Sequence, residues 1–167
     1  MVSINHQRHA YSSSSLTVPP ASASRSRVKH ILAPTDLREA SESSVEYALC
    51  LAEQLEAKLT LFHVWDVPEQ VGGASGALDF DRLRKDRERA EQAFYNLYQQ
   101  TRSRHLATDC FFLAGDPCAL VLSAVKTLPI DLIVMARHHS SWLSELIGRS
   151  DIDRIARSTD CPLLIVR

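Results

Sequence analysis

From Lys29 onward the chain alternates short apolar runs with longer segments whose apolar residues recur every three to four positions. Runs of the first kind, rich in Val, Ile, Leu and Phe, predict strands covered on both faces, and the longer segments predict amphipathic helices that cover them. Five strands are predicted, over 29–33, 58–65, 107–113, 131–136 and 162–167. Val45, Ala48, Leu49, Ala52 and Leu55 fall on one helical stripe, and Ala90, Phe94, Leu97 and Tyr98 on another. A third helix is predicted from Asp116-Pro117 to about Thr127, because an Asp at the N-cap accepts a free backbone N–H and a Pro in the first turn loses none. A fourth starts at Ser150, where Ser150 and Asp153 approximate a capping box. Four helices joining five strands in strict alternation give an α/β fold, an open five-stranded parallel sheet flanked by helices in the Rossmann-like manner. A ligand of such a sheet binds beyond the carboxyl ends of the strands.

Residues 1–27 break this pattern. They are Ser-rich, carry Pro19 and Pro20 and have no helical or strand periodicity, so the chain divides into a disordered N-terminal extension, 1–27, and one domain, 28–167. With no apolar h-region and no clear amphipathic helix, a tail without a dedicated role is preferred over a targeting peptide or a phosphorylatable arm. The net charge of −1 divides into +4 for residues 1–29 (Arg8, Arg25, Arg27, Lys29, no acids) and therefore −5 for the rest. A folded body of that sign repels a phosphate backbone, which disfavours nucleic acid as a partner. Cys50, Cys110, Cys118 and Cys161 form no Cys-x-x-Cys pair and read as reduced core residues, which points to the cytoplasm. No run approaches the roughly 18 apolar residues that cross a bilayer, so no membrane association is expected.

Candidate chemistry gathers at the carboxyl edge of the sheet, in Pro34-Thr35-Asp36 after the first strand and in the long segment 137–149 after the fourth. That segment leads into the fourth helix, whose free N–H groups form an anion site with the Ser150 hydroxyl beside them. Arg149 there could hold a small anion with its guanidinium fork, although a solvated arginine is the plainer reading. His138 and His139 suggest a metal, but adjacent side chains point apart and no third ligand lies near in sequence, so no metal is expected. Gly72-Gly73-Ala74-Ser75-Gly76 lacks the lysine of a phosphate loop and reads as a connector. The stretch 81–91, of mixed sign, reads as a solvated helix face with i,i+4 pairs. Trp65 ends a strand and packs there or stacks a base; Trp142 lies in the long loop.

The run VKHILAPTDLREASESSVEYALCLAEQLEAKLTLFHV (28–64), the block Ala114-Gly115-Asp116-Pro117 and the ending DLIVMARHHSSWLSELIGRSDIDRIARSTDCPLLIVR (131–167) resemble, in that order, the universal stress protein family. The resemblance implies a five-stranded parallel sheet, a homodimer formed near the last strand (Leu163, Leu164, Ile165, Val166) and, in many members, ATP held by an Asp after the first strand and a Gly-x2-Gly-x9-Gly-Ser/Thr loop after the fourth. Asp36 matches the first element. Of the second, the glycine positions fall on Ala136, His139 and Arg149, and only Ser150 agrees. Glycines in such a loop permit positive φ and let the backbone close on phosphates, so His139 and Arg149 disfavour ATP in the family's usual manner. The segment 138–142 is similar to the branch that lacks the glycine motif.

The candidate nucleotide or anion site is therefore Asp36, Ala136, His139, Arg149 and Ser150, with no cofactor expected and ATP as the alternative. The expected function is that of a non-enzymatic, homodimeric regulatory protein of the stress response that acts through an unidentified protein partner. A nucleotide-binding switch with a remodelled loop and slow ATP hydrolysis is the alternative. An adenine-nucleotide enzyme such as an ATP pyrophosphatase or a nucleotidyltransferase needs Ser-Gly-Gly-x-Asp or His-x-Gly-His after the first strand, and Ala33-Pro34-Thr35-Asp36-Leu37 is neither.

Overall fold

The computed structural model describes residues 28–66, 80–105, 107–136 and 151–166. Its elements run β1 (His30–Thr35), α1 (Glu39–Leu55), β2 (Lys58–Trp65), α2 (Phe80–Arg104), β3 (Thr108–Ala114), α3 (Pro117–Thr127), β4 (Leu132–Ala136), α4 (Asp151–Ser158) and β5 (Leu163–Val166). The strands form one parallel sheet in the order β3-β2-β1-β4-β5. The fold expectation is met, and the residues of the N-terminal extension lie outside those described.

Each face of the sheet has its own core, because side chains alternate along every strand. Ile31, Ala33, Leu59, Leu61 and Val134 pack with Val45, Ala48, Leu49 and Ala52 of α1 and Phe94 of α2. Leu32, Phe62 and Ile133 pack on the opposite face with Cys118, Val121 and Ala124 of α3 and Ile155 of α4. The predicted stripe of α1 is the stripe that is buried. The mixed-sign stretch of α2 carries the expected one-turn pairs, Arg82 with Asp86, Arg84 with Glu88 and Arg87 with Glu91. Asp116 caps α3 as read, its carboxylate accepting the Ala119 N–H at 2.6 Å.

Three readings are corrected. Coverage on both faces fails for the edge strands, where Phe111 and Leu113 of β3 and Ile165 of β5 stand exposed. The outer strands extend past the helices of one layer, and an apolar run alone does not distinguish a central strand from an edge one. Only Cys118 is a core cysteine; Cys50, Cys110 and Cys161 are half-buried, although all four are free. Pro34 and Thr35 belong to β1 instead of following it, since pairing with β2 continues through Pro34↔Phe62 and Thr35↔His63.

Pairing of β1 with β4, in contrast, is registered only at Ile31↔Leu132 and Leu32↔Ile133. Pro34 has no N–H to give to a ladder, and it lies beyond the point where that pairing stops. At the opposite end the two strands are held together, with Asp131 Oδ2 accepting the N–H groups of Lys29 (2.8 Å) and His30 (3.0 Å). The pair is thus closed at its amino end and parts toward its carboxyl end.

Candidate functional site

The chain winds from β1 through β2 to β3 in one direction and returns to lay β4 and β5 on the other side. The winding reverses between β1 and β4, and open α/β sheets bind ligands in the crevice outside that point. Asp36 directly follows β1 and Ala136 is the last residue of β4, so the structure brings both to this mouth. Ala136 is buried and has no positive φ, so alanine is accommodated where the family motif has its first glycine. His139, Arg149 and Ser150 lie outside the described residues, as do His138, Trp142 and the connector 72–76.

Asp36 sits in a turn built by its neighbours. Its Oδ1 accepts the Arg38 N–H at 3.0 Å, and its Oδ2 lies 3.6 Å from Arg38 Nε. The ion pair is solvent-exposed and contributes little; the backbone bond is what orients the carboxylate. Leu37 between them takes the left-handed conformation, φ 63°, which costs a residue with a Cβ about 1–2 kcal/mol. Its N–H donates to Thr35 Oγ1 at 3.1 Å and its half-buried side chain packs on the α1/α2 core, and these contacts hold it there.

Beneath the turn is a chain of buried hydroxyls whose directions can be assigned. Ser41 Oγ donates to the Arg38 carbonyl at 2.8 Å, which uses its one hydrogen. Thr35 Oγ1 must therefore donate across the 2.9 Å contact to Ser41 Oγ while it accepts from Leu37. The Thr35 carbonyl accepts in turn from Nδ1 of His63, 2.8 Å away on β2. Burial pushes the His63 imidazole below its ordinary value, against smaller opposing effects of this bond and of the Asp36 charge. The ring is therefore neutral at pH 7, with its hydrogen on Nδ1.

The sequence reading missed Arg38, Ser41 and His63. A signal existed for the last, a lone histidine in the otherwise apolar end of the β2 run, whereas nothing in a helical stripe marks one serine of Ser41, Ser43 and Ser44 as a partner of the preceding strand. A groove of about 700 Å³ also opens between α1 and α2, floored by Val45, Leu49 and Leu97. Thr35 and Leu37, the residues before and after Asp36, also line it, so the groove reaches the turn that carries Asp36. Among the described residues, no three His, Cys, Asp or Glu side chains gather as a metal site, and no helix is long and apolar enough to cross a membrane.

A parallel sheet wound both ways from β1, with its crevice at the reversal, defines a doubly wound α/β protein. The chain belongs to the universal stress protein family, whose sequence model matches residues 27–167. It is 25% identical over 141 residues to universal stress protein MJ0531 of Methanocaldococcus jannaschii, covering 83% of this chain and 82% of that one. Among solved structures it superposes on universal stress protein UspA from Lactobacillus plantarum with a TM-score of 0.70 at 22% identity, over 84% of this chain and 99% of that one. A universal stress protein solved in complex with cAMP aligns with a TM-score of 0.62 at 21% identity, over 85% of this chain and 99% of that one. At these identities the two structures establish the fold.

Proposed function

We propose that this chain is a non-enzymatic regulatory protein of the stress response that works as a homodimer by binding a protein partner, without ATP held in a glycine-rich phosphate loop. The observation that carries the reading is the state of the crevice mouth, where Oδ1 of Asp36 already accepts the Arg38 N–H. His139 and Arg149 at two of the three glycine positions add bulk where a phosphate loop needs bare backbone. Among the described residues, the buried hydroxyls of the site also lack a general base. Thr35 and Ser41 bond each other and the backbone, and His63 turns its hydrogen-bearing nitrogen to a carbonyl. The dimer contact is assigned to Leu163, Leu164, Ile165 and Val166, an apolar edge strand that pairing with a second copy would cover.

One specific observation favours a second reading, a nucleotide-controlled switch. Asp36 stands at the reversal crevice, and a fold relative was solved with cAMP. Release of phosphate from Mg-ATP by the purified chain separates the two. The expected rate equals the background; turnover that is lost in Asp36→Ala would overturn the non-enzymatic reading and favour the switch.

A further inference from the structure

His63 lies on β2 level with Thr35 of β1 and Phe112 of β3, and it is only 6% exposed. The rings of Phe94 and Phe112 flank it, with centroids at 5.8 and 5.1 Å. Its Nδ1 holds the Thr35 carbonyl, yet its Nε2 is buried without a hydrogen-bond partner. An orphaned lone pair in such a slot is tolerable. An orphaned N–H bearing a positive charge is far more costly, because neither phenyl ring replaces the water that solvates it.

We propose that His63 is a proton-sensitive latch on the turn that carries Asp36, closed while its imidazole is neutral and released when Nε2 takes a proton from solvent. On protonation the ring must leave the Phe94–Phe112 slot to hydrate its new N–H. The bond to the Thr35 carbonyl then breaks. Thr35 is also the residue whose hydroxyl joins Leu37 to Ser41 and, through it, to Arg38, so its loss of anchorage loosens the left-handed Leu37 and the Arg38 N–H that orients Asp36. The latch does not depend on whether a nucleotide binds.

The groups facing the ring are the Thr35 carbonyl from β1, Phe94 from α2 and Phe112 from β3; among the described residues Asp36 is the charge that acts on it. Asp36 favours the proton, and burial outweighs it. With the closed form's proton affinity below the ordinary value near 6.5, the open form binds more protons as pH falls below about 6.5. The latch is therefore fully closed above that pH, and its opening equilibrium rises by up to about tenfold per pH unit below it, until the lower value of the closed form is reached. His30 is depressed in the same direction, chiefly by burial, but it bonds Thr60 Oγ1 on the other face of the sheet. A readout local to the turn is therefore needed.

Nitrogen NMR and amide exchange on the full chain supply that readout. The expected result is an Nδ1–H tautomer for His63 at pH 7.5, and protection of the Leu37 and Arg38 amides that falls by up to about fivefold from pH 6.5 to 5.5. The Ile133 amide, which donates to the Pro162 carbonyl in the sheet, should keep its protection. In His63→Asn, whose side-chain amide can keep the bond to Thr35 without titrating, the turn should be protected at both pH values. An Nε2–H tautomer, unchanged protection of Leu37 and Arg38, an equal fall at Ile133, or the same pH dependence in His63→Asn would overturn the latch. Should the variant not fold, the tautomer and the protection profile of the unaltered chain decide the matter alone.

Discussion

Replacing Ile165 by aspartate is expected to halve the mass of the protein in solution, read by size-exclusion chromatography with light scattering. β5 is an edge strand of four residues, Leu163 to Val166, and Ile165 is 43% exposed on it. Leu163 packs into the core on the α3/α4 side of the sheet, and Leu164 and Val166 into that on the α1/α2 side. Ile165 is therefore the member of the strand whose side chain is exposed to make the proposed contact with a second copy. A carboxylate buried between two apolar strands without a partner costs several kcal/mol, twice over in a symmetric contact, whereas in the monomer the same group stays in water. The fold itself should be little affected. The other edge provides the control: β3 exposes Phe111 and Leu113, so Leu113→Asp should leave the mass unchanged. Unchanged mass in Ile165→Asp together with monomers in Leu113→Asp would move the contact to β3.

Leu61→Ala should destabilise the domain by about 2–5 kcal/mol, measured as a lowered midpoint in urea with an unchanged slope. Leu61 is fully buried at the centre of the α1/α2 core, paired with Ala33 on one side and Cys110 on the other. Truncation there removes apolar contact and leaves a cavity that the closely packed sheet fills poorly. A cost below about 1 kcal/mol would mean that this face is not the packed core described.

Much of the fold was legible because burial repeats with a period. The predicted bounds of β2 are the observed ones, and Asp116-Pro117 marks the start of α3, since a capping carboxylate and a proline in the first turn are local chemistry that no tertiary contact needs to complete. The first predicted strand stops at Ala33, just short of Pro34. In the fold it ends pairing with one neighbour only, and Thr35↔His63 continues with the other. The site was legible in part. Asp36 could be anticipated because it follows a strand at the carboxyl edge of the sheet, and Ala136 because the family resemblance aligns it with a motif glycine. The Thr35–Ser41–Arg38 hydroxyl chain and its tie to His63 could not, because they join residues up to 28 positions apart through contacts that leave no periodic trace in the sequence. Composition was equally silent on which cysteine is buried: Cys118 lies in the core, whereas Cys50 lies off the buried stripe of α1 with its thiol beside Glu46.

The central claim, a regulatory dimer that does not depend on ATP, is tested most directly by calorimetric titration of the nucleotide-stripped protein with Mg-ATP, AMP and cyclic AMP. No heat of binding is predicted for Mg-ATP. Micromolar binding that disappears in Asp36→Ala would contradict the account and make the crevice a working nucleotide site despite its missing glycines.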